Sequence, residues 1–141
     1  MSKEPREIIV KTMVVDRNPS TVFDFFINPK NWESGGSIKN VQKIDDEWWN
    51  VETPLGSAKI KFHSNKELGI FDHDFIAGDA KWTVFCRVIP NERGSTVSFT
   101  FIRPEQMTFA QFEDQLKNFD KEILGWKKSI MNGLSNNGVK S

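Results

Sequence analysis

From Thr108 to about Gly133 the sequence reads TFAQFEDQLKNFDKEILGWKKSIMNG, and this stretch decides the fold. Phe109, Phe112, Leu116, Phe119, Ile123, Trp126 and Ile130 recur at steps of three and four, which puts them on one side of an α-helix. Leu124 and Met131 widen the stripe toward its C-terminal end. Thr108 and Gln111 have the spacing of a capping box, in which each side chain takes a backbone N–H that the first turn leaves free. Gly133 is placed as the C-cap. One long amphipathic helix must therefore bury a stripe rich in aromatic rings, and the rest of the chain has to supply its partner.

Working back from the helix, the period changes from helical to alternating. Ile38 to Ile44, Trp48 to Thr53, Ser57 to His63, Leu68 to Ile76, Trp82 to Ile89 and Ser95 to Arg103 carry strand-type residues. They are separated by Asp45-Asp46, Pro54-Leu55-Gly56, Ser64-Asn65-Lys66, Ala77-Gly78-Asp79 and the turn from Pro90 to Gly94, residues that favour tight turns at hairpin spacing. Glu7 to Asp16 adds a first strand, with Ile9, Lys11 and Met13 on one side and Ile8, Val10, Thr12 and Val14 on the other. After it, Asn18-Pro19 starts a short helix with Val22, Phe23, Phe26 and Ile27 on its apolar face. Asn28-Pro29 stops that helix, a second short turn leads to Trp32, and Ser34-Gly35-Gly36-Ser37 forms a loop. Seven antiparallel strands and one long helix bury both apolar faces most economically when the sheet curves around the helix. Such packing either fills completely or leaves a cavity between the two layers.

Composition narrows what the chain does. At 141 residues it is long enough for one domain with a real core, and residues 1–6 and 135–141 read as flexible tails of a single domain spanning 1–141. The lone Cys86 excludes an internal disulfide and fits a reducing compartment. The first residues contain no apolar run of the kind a secretory signal needs, and no segment has the run of about 20 apolar residues that spans a bilayer. The expectation is a cytoplasmic protein, monomer or homodimer. Nineteen basic and nineteen acidic side chains are interspersed, so neither the basic stripe of a nucleic-acid binder nor a cationic membrane-surface helix is present. The chain has 12 Phe, 5 Trp and no Tyr, so a pocket would have apolar ring walls with indole N–H groups as the aromatic donors.

The order of strand, two short helices, six-stranded meander and long C-terminal helix resembles the helix-grip fold of the START/Bet v 1-like (SRPBCC) superfamily. That group includes polyketide cyclase/dehydrase-like proteins and Hsp90-ATPase activators. The resemblance is carried by Asn18-Pro19-Ser20-Thr21-Val22-Phe23, Asn28-Pro29 leading to Trp32, and Thr53-Pro54-Leu55-Gly56. It continues through Leu68-Gly69-Ile70-Phe71-Asp72-His73, Arg87-Val88-Ile89-Pro90 and Gly94-Ser95. It spans residues 8–134 and implies an α+β fold, a largely apolar cavity between sheet and helix, and no metal or organic cofactor. Function stays open within the group.

Candidate chemistry starts at Phe71-Asp72-His73-Asp74-Phe75, the densest titratable cluster, where alternation groups His73 with Phe71 and Phe75. An inward His73 is the candidate acid/base, against the plainer reading of a histidine bonded to backbone or facing water. Arg87 alternates with Phe85 and Ile89, and Arg103 follows Phe99 and Phe101. If they point inward, either guanidinium would hold a ligand carboxylate or enolate; if they point outward, they form rim salt bridges. The candidate cavity walls are Trp49, Ile60, Phe62, Phe71, Phe85, Phe99, Phe101, Phe119, Ile123 and Trp126. His63, His73, Asp72 and Cys86 lack metal-ligand spacing, and no nucleophile elbow or phosphate loop is present. The leading expectation is a binding module for a hydrophobic, lipid- or polyketide-like small molecule. The alternatives are a cyclase/dehydratase-type enzyme using His73 and Arg87, and a co-chaperone-like activator working through its outer surface.

Overall fold

The computed structural model describes residues 4–54, 56–78 and 80–134. Strand β1 (Ile8–Val15) is followed by helix α1 (Pro19–Phe26) and a 3-10 helix (Pro29–Gly35). Six strands then run consecutively: β2 (Lys39–Lys43), β3 (Trp48–Thr53), β4 (Gly56–Asn65), β5 (Ile70–Ala77), β6 (Ala80–Asn91) and β7 (Gly94–Ile102). Helix α2 (Phe109–Ser129) closes the fold, and a π-helical turn, Ile130–Leu134, extends it. The seven strands form one curved antiparallel sheet in the order β1-β7-β6-β5-β4-β3-β2. This is the α+β helix-grip architecture, with β1 brought back beside β7.

Local chemistry explains the boundaries. Asn18 caps α1 by accepting the Thr21 N–H at 2.9 Å, with Pro19 inside the first turn. Asn28 starts the 3-10 helix in the same way, and Gly36 ends it at φ 94, a left-handed conformation that glycine adopts without steric cost. The capping box at α2 is closed from both sides: the Gln111 N–H donates to Thr108 Oγ1 at 3.1 Å, and the Thr108 N–H donates to Gln111 Oε1 at 2.9 Å.

The core lies between the concave face of the sheet and the helices. Val51, Ala58 and Ile60 face it from β3 and β4, and Phe71, Val84, Cys86, Val97 and Phe99 from β5 to β7. On β1, Met13 and Val15 point inward while Ile8, Val10 and Val14 face solvent. Helix α2 lies directly on the 3-10 helix. A Cβ at Gly125 would stand 2.3 Å from the Ser34 carbonyl oxygen, so glycine is what lets the two backbones approach.

Several expectations need correction. Leu124 and Phe109 do not join the buried stripe; both are exposed, Leu124 at 69%. Gly133 does not cap α2, because the chain continues through the π turn. Of the expected tails, residues 1–3 and 135–141 lie outside the described residues. Arg6 is anchored, its Nε donating to the Arg103 carbonyl at 2.6 Å. No helix among the described residues is long and apolar enough to cross a membrane.

Candidate ligand cavity

A partly open cavity of about 920 Å3 lies between the sheet and α2. Strands β5 to β7 supply Phe71, His73, Val84, Phe99 and Phe101, and α2 supplies Phe112, Leu116, Phe119, Glu122 and Trp126. Phe26 of α1 and Trp32 of the 3-10 helix close its inner end. The lining continues outward past Pro54, Ala77, Ala80 and Met107, so the mouth lies among the turns and the β7–α2 connection.

The aromatic wall is ordered by ring geometry. Phe26 stacks on Phe71 at 5.1 Å between centroids and meets Phe99 and Trp126 edge-on at 5.7 and 5.6 Å. Phe119 stands edge-on to Phe99 at 5.0 Å and to Trp126 at 5.2 Å. Each such pair contributes about 0.5–1.5 kcal/mol beyond its buried area, enough to hold the wall in one arrangement. Of the three indole donors in the lining, those of Trp32, Trp82 and Trp126, two are already used. Trp32 Nε1 donates to the Phe26 carbonyl and Trp126 Nε1 to the Trp32 carbonyl, each at 3.0 Å.

His73 sits in β5 against Trp32, ring centroids 4.9 Å apart, with Phe62 and Phe71 on its other sides. Its Nδ1 lies 3.0 Å from the Phe71 carbonyl, which can only accept, so Nδ1 carries the proton. Nε2 is then a lone-pair acceptor, with no protein partner among the described residues. Burial pushes the imidazole pKa down to about 4, so His73 is neutral at pH 7.

Glu122 is the group that reading the sequence missed. It projects from α2 into the cavity wall, its Cβ against Gly35, and no hydrogen bond or ion pair holds its carboxyl among the described residues. Desolvation raises its pKa to about 7. A signal was available: Glu122 lies three residues after Phe119 and four before Trp126, on the helix face that carries the stripe.

The other expected residues separate into three groups. Phe71, His73, Phe99, Phe101, Phe119 and Trp126 line the cavity together. Ile60 and Ile123 are buried in the core, Phe62 packs behind His73, and Trp49 is half-buried with Lys43 Nζ 5.8 Å from its ring centre; none of the four lines the cavity. Phe85 and Arg87 do not point in. They share a face with Ile89, as the alternation requires, but it is the convex, solvent side, and Arg87 Nε donates to the Leu68 carbonyl there at 3.2 Å. Arg103 also stays outside the cavity. It lies just past the end of β7, where Nε bonds the Glu7 carboxylate at 2.7 Å and Nη1 the Met107 carbonyl at 2.6 Å. Cys86 is buried in β6 with its thiol pKa pushed up by burial, so it is not a reactive thiolate. Among the described residues, no group of His, Cys, Asp and Glu is arranged to hold a metal ion.

Comparison with solved structures places this architecture. Norcoclaurine synthase from Thalictrum flavum, solved as a point mutant with a transition-state analogue, superposes with a TM-score of 0.70 at 12% identity, covering 94% of this chain and 99% of that one. The di-domain ARO/CYC protein BexL, from the BE-7585A biosynthetic pathway, gives a TM-score of 0.72 at 9% identity; 89% of this chain matches 46% of BexL. Ara h 8.0201 gives 0.64 at 11% identity, with 89% and 97% covered. At these identities the likeness shows the fold alone. No family model matches the sequence, and no curated protein matches it either.

Proposed function

We propose that this protein binds a hydrophobic small molecule, lipid- or polyketide-like, between the sheet and α2, acting in the cytoplasm as a monomer or homodimer. The observation that carries the reading is the cavity of about 920 Å3 with a predominantly aromatic and aliphatic wall. Ligand sites run from about 300 to 1,000 Å3 and combine apolar walls with a few placed polar groups. A ligand that buries roughly 300 Å2 of apolar surface there gains on the order of 7 kcal/mol. That exceeds the low end of the association cost, about 4 kcal/mol.

The fold supports the same reading, since the structures it matches include a norcoclaurine synthase and an ARO/CYC protein. A cyclase- or dehydratase-type reaction loses Arg87 as its oxyanion holder, because that side chain is on the far side of the sheet. Native mass spectrometry of gently purified protein tests the proposal. An apolar adduct, or uptake of an added hydrophobic probe, is expected for the unaltered chain. Phe119→Ala, which removes a half-buried wall ring, is expected to weaken uptake about tenfold or more. If the folded protein takes up no hydrophobic molecule at all, the proposal fails.

A further inference from the structure

We infer that the cavity selects hydrophobic molecules that carry a protonated amine, with the Glu122 carboxylate as counter-charge and the Trp126 ring beside it. The inference rests on the hydrophobic-ligand reading above and sharpens it to a ligand class.

The argument is an inventory of polar groups at the inner end. The indole N–H groups of Trp32 and Trp126 are spent on backbone carbonyls, Nδ1 of His73 is spent on Phe71, and the third lining indole, Trp82, belongs to β6, where it stacks on Phe75. What remains there is the half-buried Ser37 hydroxyl, which can donate or accept, and two acceptors: Nε2 of His73 and the ionised carboxyl of Glu122. The two lie along one short helix, His73 against Trp32 and Glu122 against Gly35. The cationic side chains of the lining, Lys117 and Lys121, are exposed on α2 rather than enclosed with Glu122. A carboxylate ligand would therefore meet a second carboxylate and no enclosed cation. A purely apolar ligand would leave the Glu122 carboxyl desolvated and unpaired. A ligand ammonium satisfies Glu122 and lies against aromatic rings, where a desolvated cation is further stabilised.

The surroundings of Glu122 keep it available. His73 faces the cavity from β5 in its neutral form. Across the 3-10 helix, the Glu33 carboxylate accepts the Val41 N–H, and Lys30 is exposed. On β1, Lys11 is paired with Asp120 at 2.9 Å; on α2, Asp114, Lys117 and Lys121 are all exposed. Near the π turn, Arg17 donates to the Met131 carbonyl. In the free protein Glu122 holds its proton up to about pH 7, so taking up an ammonium at lower pH must expel that proton.

The test compares dodecylamine, dodecanol and dodecanoate by titration calorimetry at pH 6 and pH 8. At pH 8 the amine is expected to bind about tenfold or more tightly than the alcohol, and the carboxylate to bind weakest. Amine affinity should fall about tenfold at pH 6, while that of the alcohol should not. Glu122→Gln, checked for folding by thermal unfolding, should bind amine and alcohol about equally and lose the pH dependence. If dodecanol binds but the amine is no tighter, or if the variant keeps the preference, the inference is wrong and the hydrophobic-ligand reading stands. Dodecanoate binding as tightly as the amine overturns it too. If none of the three binds, the hydrophobic-ligand reading fails and takes this inference with it.

Discussion

At the level of single residues, burial acts on His73 and Glu122 through one cause with opposite signs. Removing water disfavours the charged form, which lowers the imidazole pKa from its ordinary 6.5 to about 4 and raises the carboxyl pKa from 4.5 to about 7. For His73, stability is present above pH 6.5 and is lost as pH falls toward 4, because the unfolded chain takes up the proton first. For Glu122, stability is present below pH 4.5 and is lost as pH rises through 7, because the folded chain holds the proton longer. Between about pH 4.5 and 6.5 the two slopes oppose and largely cancel. Urea unfolding across this range should therefore be nearly flat in these groups' contribution, while Glu122→Gln leaves a stability that rises with pH and His73→Phe one that falls. The full swing is on the order of 3 kcal/mol for each group. Two variants with unchanged pH slopes would show that neither group is desolvated as described. The sequence pointed to His73 through its alternation with phenylalanines, whereas the sequence reading did not single out Glu122 among the charges of α2.

At the level of the element, α2 was read in the right phase from its spacing alone. Phe112, Leu116, Ile123, Trp126 and Ile130 are buried as the steps of three and four require. Leu124 lies one residue past buried Ile123, about 100° further round the helix, and is exposed there. Phe109 lies in the first turn, next to the cavity mouth at Met107 and Gln111, and is exposed there. The close contact of α2 with the 3-10 helix was not legible, because a glycine inside a helical pattern does not say what approaches it. Gly125→Ala would drive a methyl group into the Ser34 carbonyl. We expect a loss of about 1–3 kcal/mol in denaturant unfolding, as for other overpacked sites. A neutral result would mean that the two helices separate without cost. The same substitution should also weaken ligand uptake, since Gly35 sits against both Trp126 and Glu122.

Over the whole molecule, the sheet's two faces decide which strand residues meet the cavity. Phe85, Arg87 and Ile89 alternate with Val84, Cys86 and Val88, and both sets are largely apolar, so period two groups them without saying which set faces inward. Cross-strand register settles it: Cys86 stands opposite Phe99 and Val88 opposite Val97, all buried, which turns Arg87 outward. Arg87→Ala should accordingly leave hydrophobic-probe uptake within about twofold of the unaltered chain, as an exposed substitution away from the site. A loss much larger than that would require Arg87 to reach the cavity. Periodicity, turn residues and helix caps were sufficient for the order of elements, the antiparallel meander and the closing helix, because each depends on neighbours close along the chain. The strand faces, the seating of α2 on the 3-10 helix and the meeting of His73 with Glu122 at one cavity depended on the folded chain. Those contacts join residues such as Gly35 and Trp126, far apart in sequence, and their geometry exists only once the sheet has curved around the helix.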